Sequence, residues 1–249
     1  MNTIELSILI PAFIAGLLVL STHIPLGMKV LARGVIFADL AIAQIAGLGV
    51  ITSTLLLHGG NPWVVQSIAA SSALAGALLL SWIEQAFEDV KEAAIGLTFV
   101  LAACAGILLM NSDLQAGEHL KDMLVGQILW VSKAPLIATA LLSAVLLLLL
   151  RWRGSRLGTL GFYSMFALAV TASVQLVGVY LVFASLIIPA LATHRLQRHR
   201  YWVAGLVGTL GYALGLWLSA SQDWPSGAAI VWSMAIVGGV SVLLQRLWR

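Results

Sequence analysis

The sequence predicts an all-α polytopic integral membrane protein with about 8–9 transmembrane helices. Of its 249 residues, 61% are hydrophobic and only 9% are charged, and the mean hydropathy is +1.02. Soluble domains carry roughly a quarter charged residues. Several apolar runs approach the ~20 residues that cross a bilayer as a helix. The run ALLSAVLLLLL at 140–150 does not alternate in polarity as a β-barrel strand must, so these spans are predicted to be helical.

The order of apolar segments predicts where the helices cross. The stretch 160–193 is ambiguous, because about 34 residues are only just enough for two short passes with a turning point at SVQLVG, residues 173–178. The N-terminus lacks a positive region, which favours a retained first helix over a cleaved signal peptide. Every connection is short, so residues 1–249 are predicted to form a single transmembrane domain. The clear spans lie near 5–25, 35–57, 63–83, 93–110, 134–150, 202–220 and 228–246.

The positions of Lys and Arg predict the orientation of the chain in its membrane. Basic residues gather in 27–34, 151–156 and 194–200, and such clusters favour the cytoplasmic side. Alternating the spans then places 84–92 inside and 58–63 outside. The formal net charge of +3 is therefore attributed to cytoplasmic loops in contact with lipid headgroups, and no nucleic-acid partner is expected.

An acidic residue lies inside the apolar run FADLAIAQIAGLG, residues 37–49. A carboxylate in mid-membrane costs about 2.5–3.5 kcal/mol on insertion scales, so Asp39 requires a reason. One interpretation is a pathway or gate residue that faces a wet cavity. The other is a structural residue, which pairs with Lys29 or Arg33 or accepts hydrogen bonds from helix-terminal amides. The residues alone favour neither.

A second polar residue in this run, Gln44, lies on a different face. Five residues separate it from Asp39, which is about 140° around a helix, so the two do not share a stripe. Ala43 and Ala46 share the Asp39 face. That face is predicted to be a line of close packing with one polar point.

The sequence shows no catalytic or cofactor-binding constellation. The five histidines are scattered, with no H-x₃-H pair on a helix, and each is expected at a loop or helix end. No nucleophile, base and orienting group can be placed together, so we expect no enzyme activity and no bound cofactor on this chain. No phosphate-binding G-x-x-x-x-G-K-[ST] motif is present. The histidines are His23, which ends the first predicted span, and His58, His119, His194 and His199.

Four blocks of sequence carry a family resemblance. SVQLVGVYLVFASLIIPALAT, residues 173–193, is similar to a Q-x-x-G-x-x-L-v-x-x-L-l-x-x-P-A block through Gln175, Gly178, Leu181, Pro189 and Ala190. Residues 93–110, 119–132 and 223–231 match three further blocks in the same order and spacing. Together they resemble the permease subunits of metal-type ATP-binding-cassette importers, the ABC-3 family of bacterial zinc, manganese and iron uptake.

The resemblance implies a fold like that of the vitamin B12-type importer permeases. It also implies a homodimeric permease in the bacterial cytoplasmic (inner) membrane, which carries a divalent metal as substrate by alternating access. Its partners would be an ATP-binding cassette subunit, which hydrolyses the ATP, and an extracytoplasmic metal-binding protein. The alternative is a stand-alone secondary transporter or channel for a cation, which predicts internal repeats and more intramembrane acids.

The resemblance also implies roles for particular residues. Many zinc and manganese permeases show G-D-x-x-x-H in the second helix, and Asp39 matches the Asp, whereas Ala43 stands in place of the His. Asp39 would then line the translocation path and meet the metal, with Gln44 as a weaker candidate contact. Packing around the pore would involve three residues of the 173–193 block, namely Gln175, Gly178 and Pro189.

The basic stretch RWRGSRLGTLGFY, residues 151–163, occupies the place of a longer cytoplasmic segment that docks the ATPase in the family. One interpretation is a compact docking helix in which the arginines couple to the ATPase. The other is simple positive-inside anchoring. The arginines concerned are Arg151, Arg153 and Arg156.

Overall fold

The computed structural model describes residues 3–57, 61–109, 128–153 and 158–247. Within these ranges the regular structure is helical throughout, with nine α-helices and two short 3₁₀ helices, Glu88–Val90 and Ile128–Trp130. The predicted all-α class is thereby confirmed. The α-helices are α1 (Thr3–Arg33), α2 (Ala38–Leu57), α3 (Pro62–Ala86), α4 (Lys91–Leu109), α5 (Lys133–Arg153), α6 (Thr159–Val177), α7 (Val179–Ala192), α8 (Arg200–Gln222) and α9 (Ser226–Leu247).

Seven of the described helices are long and apolar enough to cross a membrane, which confirms a polytopic membrane protein. The remaining two helices are also apolar, α2 over 20 residues and α7 over only 14. At 1.5 Å per residue, the 14 residues of α7 extend about 21 Å. That is less than the ~30 Å hydrocarbon core of a bilayer.

Helix α1 is longer than the sequence predicted. The first span was expected to end near residue 25 because Gly27 and Lys29 look like the start of a connection, but the helix continues to Arg33. It ends at Gly34, whose φ of 67° is the left-handed conformation that commonly terminates a helix. The basic residues therefore lie on the last turns of α1 rather than in a loop.

The ambiguous stretch 160–193 forms two helices, α6 and α7, joined by the single residue Gly178. Gly178 has a φ of 82°, a conformation that side-chain-bearing residues rarely adopt. Its N–H donates to Val174 at 2.8 Å, and its carbonyl accepts the N–H of Val182 at 3.1 Å. Backbone hydrogen bonds thus continue on both sides of the break. The turning point was predicted over residues 173–178, and in the structure only Gly178 lies outside the two helices. Two passes through the membrane remain a prediction.

The helices group into two compact units, while the predicted single domain over residues 1–249 remains a prediction. Unit one comprises Met1–Arg33, Leu124–Leu147 and Ser173–Arg249, and unit two comprises Gly34–Met123 and Leu148–Ala172. In unit one, α1 packs against α7 and α8, and α9 packs against α8 and α7. In unit two, α2 packs against both α3 and α4.

Glycines allow the helices of unit one to approach backbone to backbone. A Cβ at Gly215 of α8 would collide with the backbone of Ile230 on α9, and one at Gly211 would lie 2.7 Å from the Cα of Met234. A Cβ at Gly27 would collide with the carbonyl oxygen of Leu186. Lipid gives helices little hydrophobic reason to associate, so close contact of this kind carries the packing energy.

Small residues also line the interface of α2 in unit two, where side chains of the neighbouring helix lie against its glycines or alanines. Ser72 of α3 fills the space where a Cβ at Gly49 would lie, and a Cβ at Gly106 of α4 would lie 3.4 Å from Ile51 Cδ1. Ala43 and Ala46 are 2% and 5% exposed. The small face predicted on α2 is therefore buried among its neighbours.

Replacing Gly215 by alanine is expected to destabilise the protein, because the added methyl meets backbone atoms that cannot rotate away. Overpacking of this kind costs about 1–3 kcal/mol, which lowers the melting temperature by about 2–10 °C. Gly205→Ala on the same helix is the matched control, since nothing lies within 4 Å of its Cβ position. Alanine there is expected to be neutral or stabilising by up to about 1 kcal/mol. Thermal unfolding of the detergent-purified protein measures both, and equal melting temperatures would contradict the packing argument.

Candidate functional site

Asp39 lies at the N-terminus of a helix and not in its middle. Helix α2 begins at Ala38, so Asp39 belongs to the first turn rather than to the interior of a span over 35–57. The side chain is 1% exposed. The backbone N–H groups of Asp39 and Leu40 lie against its carboxyl group. The amides and dipole at a helix N-terminus favour an acidic group, which lowers the cost of burying it.

One oxygen of this carboxyl group, Oδ1, is buried and has no hydrogen-bond partner in the described part of the chain. The structure therefore supports the interpretation in which Asp39 accepts helix-terminal amides, and it leaves one oxygen available to a further partner. An ion pair with Lys29 or Arg33 stays a prediction, because those two residues belong to the other unit. A role in the translocation path also stays a prediction.

A second acidic residue, Glu92, contacts the turn that precedes Asp39. It lies in the first turn of α4, and its Oε1 accepts the backbone N–H of Phe37 at 3.0 Å. Its other oxygen, Oε2, is buried and accepts no hydrogen bond from residues 3–57, 61–109, 128–153 or 158–247. Glu92 also acts electrostatically on Asp39. Unit two thus brings two carboxyl groups together at one end of α2 and α4.

Sequence reasoning missed Glu92, which it counted only among the acidic residues of the connection 84–92. The available signal was an acidic side chain at the start of a helix that is otherwise apolar apart from Lys91. The hydrogen bond to Phe37 also places the connections 34–37 and 87–91 at the same end of unit two. This agrees with the alternation of spans that put the corresponding loops on one side of the membrane.

Gln44 is half-buried farther along α2. Nothing in the structure joins it to Asp39, as the helical spacing already indicated. Among the described residues, no group of three or more His, Cys, Asp and Glu side chains is placed to hold a metal ion. A metal contact at Gln44 stays a prediction.

The residues of the 173–193 block differ in burial. Gln175 is exposed on the last turns of α6, whereas Gly178 and Pro189 are buried. Pro189 lies inside α7, and its carbonyl accepts the hydroxyl of Thr193 at 2.8 Å. These positions fit a structural role for Gly178 and Pro189. Their predicted place beside a pore is not tested by the single chain.

The arginines predicted to meet an ATPase are only partly described. Arg151 is exposed on the last turn of α5. Arg153 ends that helix, but its side chain lies outside the described residues, as does the whole of Arg156. A second exposed basic surface, which we call the basic turn, connects α7 to α8 and was predicted only as a cytoplasmic loop. It comprises residues 194–199, with exposed His194, Arg195, Arg198 and His199.

The expectation for His23 was wrong. It was placed at the end of the first span, whereas it lies within α1 and is fully buried. Its Nδ1 lies 3.0 Å from the carbonyl oxygen of Val19 and 3.1 Å from the hydroxyl of Thr22. Nε2 is buried without a partner. His194 and His199 are exposed, as expected of loop residues, while His58 and His119 lie outside the described residues.

These features define the class of protein: an all-helical, multi-pass membrane protein whose buried polar groups lie at helix ends and close-packed interfaces. The model of the ABC 3 transport family matches residues 5–159 and 154–245. The two matches together cover nearly the whole sequence. The chain therefore belongs to the ABC 3 transport family, which confirms the resemblance drawn from the four sequence blocks.

Individual relatives agree with this assignment. The chain is 25% identical over 254 residues to the manganese transport system membrane protein MntC of Halalkalibacterium halodurans, covering 90% of this chain and 85% of that one. It is 29% identical over 163 residues to a probable iron transport system membrane protein of Haemophilus influenzae, covering 57% and 60%. The solved structure of PsaBC from Streptococcus pneumoniae in complex with Fab is similar in fold, with a TM-score of 0.72 at 22% identity over 94% of this chain and 89% of that chain.

Replacing Gly178 by alanine is expected to reduce the yield of folded protein, because its φ of 82° strains any residue with a Cβ. Such strain costs about 1–3 kcal/mol. Gly239→Ala serves as the control, since it has open space at its Cβ position. Size-exclusion profiles of the two variants in detergent provide the measurement. A Gly178→Ala profile that matches the native one would show that the α6–α7 break does not need glycine.

Proposed function

We propose that the chain is the membrane-spanning permease subunit of an ATP-binding-cassette importer that moves a divalent metal ion into the cytoplasm. The observation that carries the proposal is the family match over residues 5–159 and 154–245. The all-helical fold of the described residues supports it. A permease of this kind takes its energy from ATP hydrolysed by a separate cassette subunit.

The relatives favour manganese or iron as the substrate. One is named for manganese transport and another for iron transport. Both metals accept carboxylate oxygen as a ligand, and carboxylate suits manganese particularly well. Zinc, the third metal implied by the resemblance, receives no such support. We therefore place manganese first, because its named relative matches 90% of the chain.

Asp39 is the residue that we propose to contact the metal. Its carboxyl group is buried at the start of α2, and Oδ1 has no hydrogen-bond partner among the residues that the structure describes. An anionic oxygen in such a position stabilises a passing cation. Alternating access would expose this oxygen to one side of the bacterial inner membrane at a time. A second copy of the chain and an extracytoplasmic metal-binding protein complete the proposed assembly.

The ATPase is expected to co-purify with the tagged chain from native membranes in roughly equal amount. Charge reversal at an exposed basic residue should weaken this association, because a docking surface loses complementary charge. Arg151→Glu tests the segment predicted from sequence, and Arg198→Glu tests the basic turn. Retention of the ATPase by both variants would remove these arginines from the docking surface. Isolation of the native chain alone in several mild detergents, with cation transport by that chain, would favour a stand-alone transporter.

Asp39→Asn is expected to lower manganese uptake about tenfold or more, since one charge-assisted contact is worth about 1.5–3 kcal/mol. Expression and ATPase association should stay unchanged, because asparagine has nearly the same size. Asp89→Asn is the matched control, as Asp89 is exposed in the 3₁₀ helix at Glu88–Val90. Radioactive manganese uptake by cells that express the complete transporter provides the measurement. Normal uptake by the Asp39→Asn variant would assign Asp39 a structural role.

A further inference from the structure

The turn before α2 is attached to α4 at two places, both through Phe37. The backbone N–H of Phe37 donates to Glu92 Oε1 at 3.0 Å across 55 residues of sequence. The Phe37 ring lies beside Gly96, one turn farther along α4, where a Cβ would lie 3.8 Å from the ring. Glu92 and Gly96 are four residues apart and therefore share a helix face. The backbone hydrogen bond is the firm attachment, since the Phe37 side chain is 43% exposed and only touches α4 beside Gly96.

Phe37 is the residue that sets where α2 begins. It immediately precedes the first helical residue, Ala38, and its carbonyl accepts the N–H of Ala41 at 3.0 Å. This is the N-cap position, which is usually occupied by a side chain that accepts a hydrogen bond from the helix. Phenylalanine has no such acceptor. The Asp39 carboxyl group lies against the first N–H groups of the helix instead, while the Glu92 carboxylate accepts the N–H of the N-cap residue itself.

Asp39 follows Phe37 by two residues, so the position of its carboxyl group depends on how the first turn of α2 is held. The N–H of Ala38 donates to Val35 at 3.2 Å, which closes the preceding turn. Farther along the same interface, Gly106 of α4 lies against Ile51 of α2. Helices α2 and α4 therefore touch at more than one point, and the hydrogen bond from Phe37 to Glu92 lies at the end that carries Asp39.

We propose that Glu92 is a positioning residue for Asp39: by accepting the N–H of Phe37, it fixes the first turn of α2 and so holds the Asp39 carboxyl group where a divalent cation meets it. The metal part of this inference rests on the proposed function. The hydrogen bond to Phe37 does not, so the two can be tested separately.

Two variants of Glu92 separate the effect of the hydrogen bond from the effect of the charge, and a third variant is the control. Glu92→Ala removes the acceptor, whereas Glu92→Gln keeps an Oε1 that can accept the Phe37 N–H but carries no charge. Glu88→Ala is the matched control, because Glu88 is exposed in the adjoining 3₁₀ helix. If Glu92→Ala is not recovered as folded protein, Glu92→Asp takes its place, since the shorter side chain draws the acceptor away from Phe37.

The first readout is amide hydrogen exchange of residues 34–41 in the native complex without metal. Glu92→Ala is expected to raise exchange of the Phe37 amide about tenfold or more, whereas Glu92→Gln and Glu88→Ala stay within about twofold of native. The second readout is manganese uptake. Glu92→Ala is expected to raise KM about fivefold or more with a smaller change in maximal rate, because a displaced ligand binds the cation less well.

Two results would overturn the inference. Unchanged exchange of residues 34–41 in Glu92→Ala would show that the bond does not hold the turn. A Glu92→Gln variant as defective in uptake as Glu92→Ala, with native exchange, would show that the charge and not the hydrogen bond matters. Failure of the proposed function looks different: Asp39→Asn would then transport normally while Glu92→Ala still loosens residues 34–41.

Discussion

The backbone N–H and C=O groups of the helices need hydrogen-bond partners, and this requirement joins the helices of the chain at their ends. Helix interiors satisfy it automatically, but helix ends do not. At the start of α2 the N–H of Phe37 bonds to Glu92, and at the end of α7 the carbonyl of Ala192 accepts Gln245 Nε2 at 3.2 Å. In both cases a side chain from a distant helix completes the end of another. The packing of two helices and the hydrogen bonding of a helix end therefore depend on the same side chains.

The second constraint is the weakness of hydrophobic association between helices in lipid, which makes close packing the source of stability. Unit one meets it with glycines at Gly27, Gly211 and Gly215, where backbone lies against a neighbouring helix. Tyr212, between two of these glycines, is fully buried, and its hydroxyl bonds to Ser185 at 2.9 Å. Small residues therefore set the distance between helices, and the few buried polar groups fix their register.

At the candidate site, Asp39, both the helix end and the close packing around it matter. A carboxyl group at a helix N-terminus is less costly than one in mid-helix, so α2 holds Asp39 buried with Oδ1 unpartnered. Such a group suits transient contact with a cation better than a site that encloses the ion on all sides. A transporter must release its substrate, and binding that is too complete would trap it. The membership of the chain in a transport family agrees with this arrangement.

The sequence alone determined the membrane class, the helical fold, the approximate positions of the clear spans and the family. Hydropathy identifies the segments that favour lipid, which gives the membrane class and the spans. The order of the four sequence blocks identifies the family, because it can be read directly from the chain. Only the tertiary structure decided that α1 continues to Arg33, that His23 is buried and that Glu92 holds the start of α2. The physical reason is distance along the chain. Helix ends and buried polar groups depend on partners that local patterns do not reveal, and the partner of Phe37 lies 55 residues away.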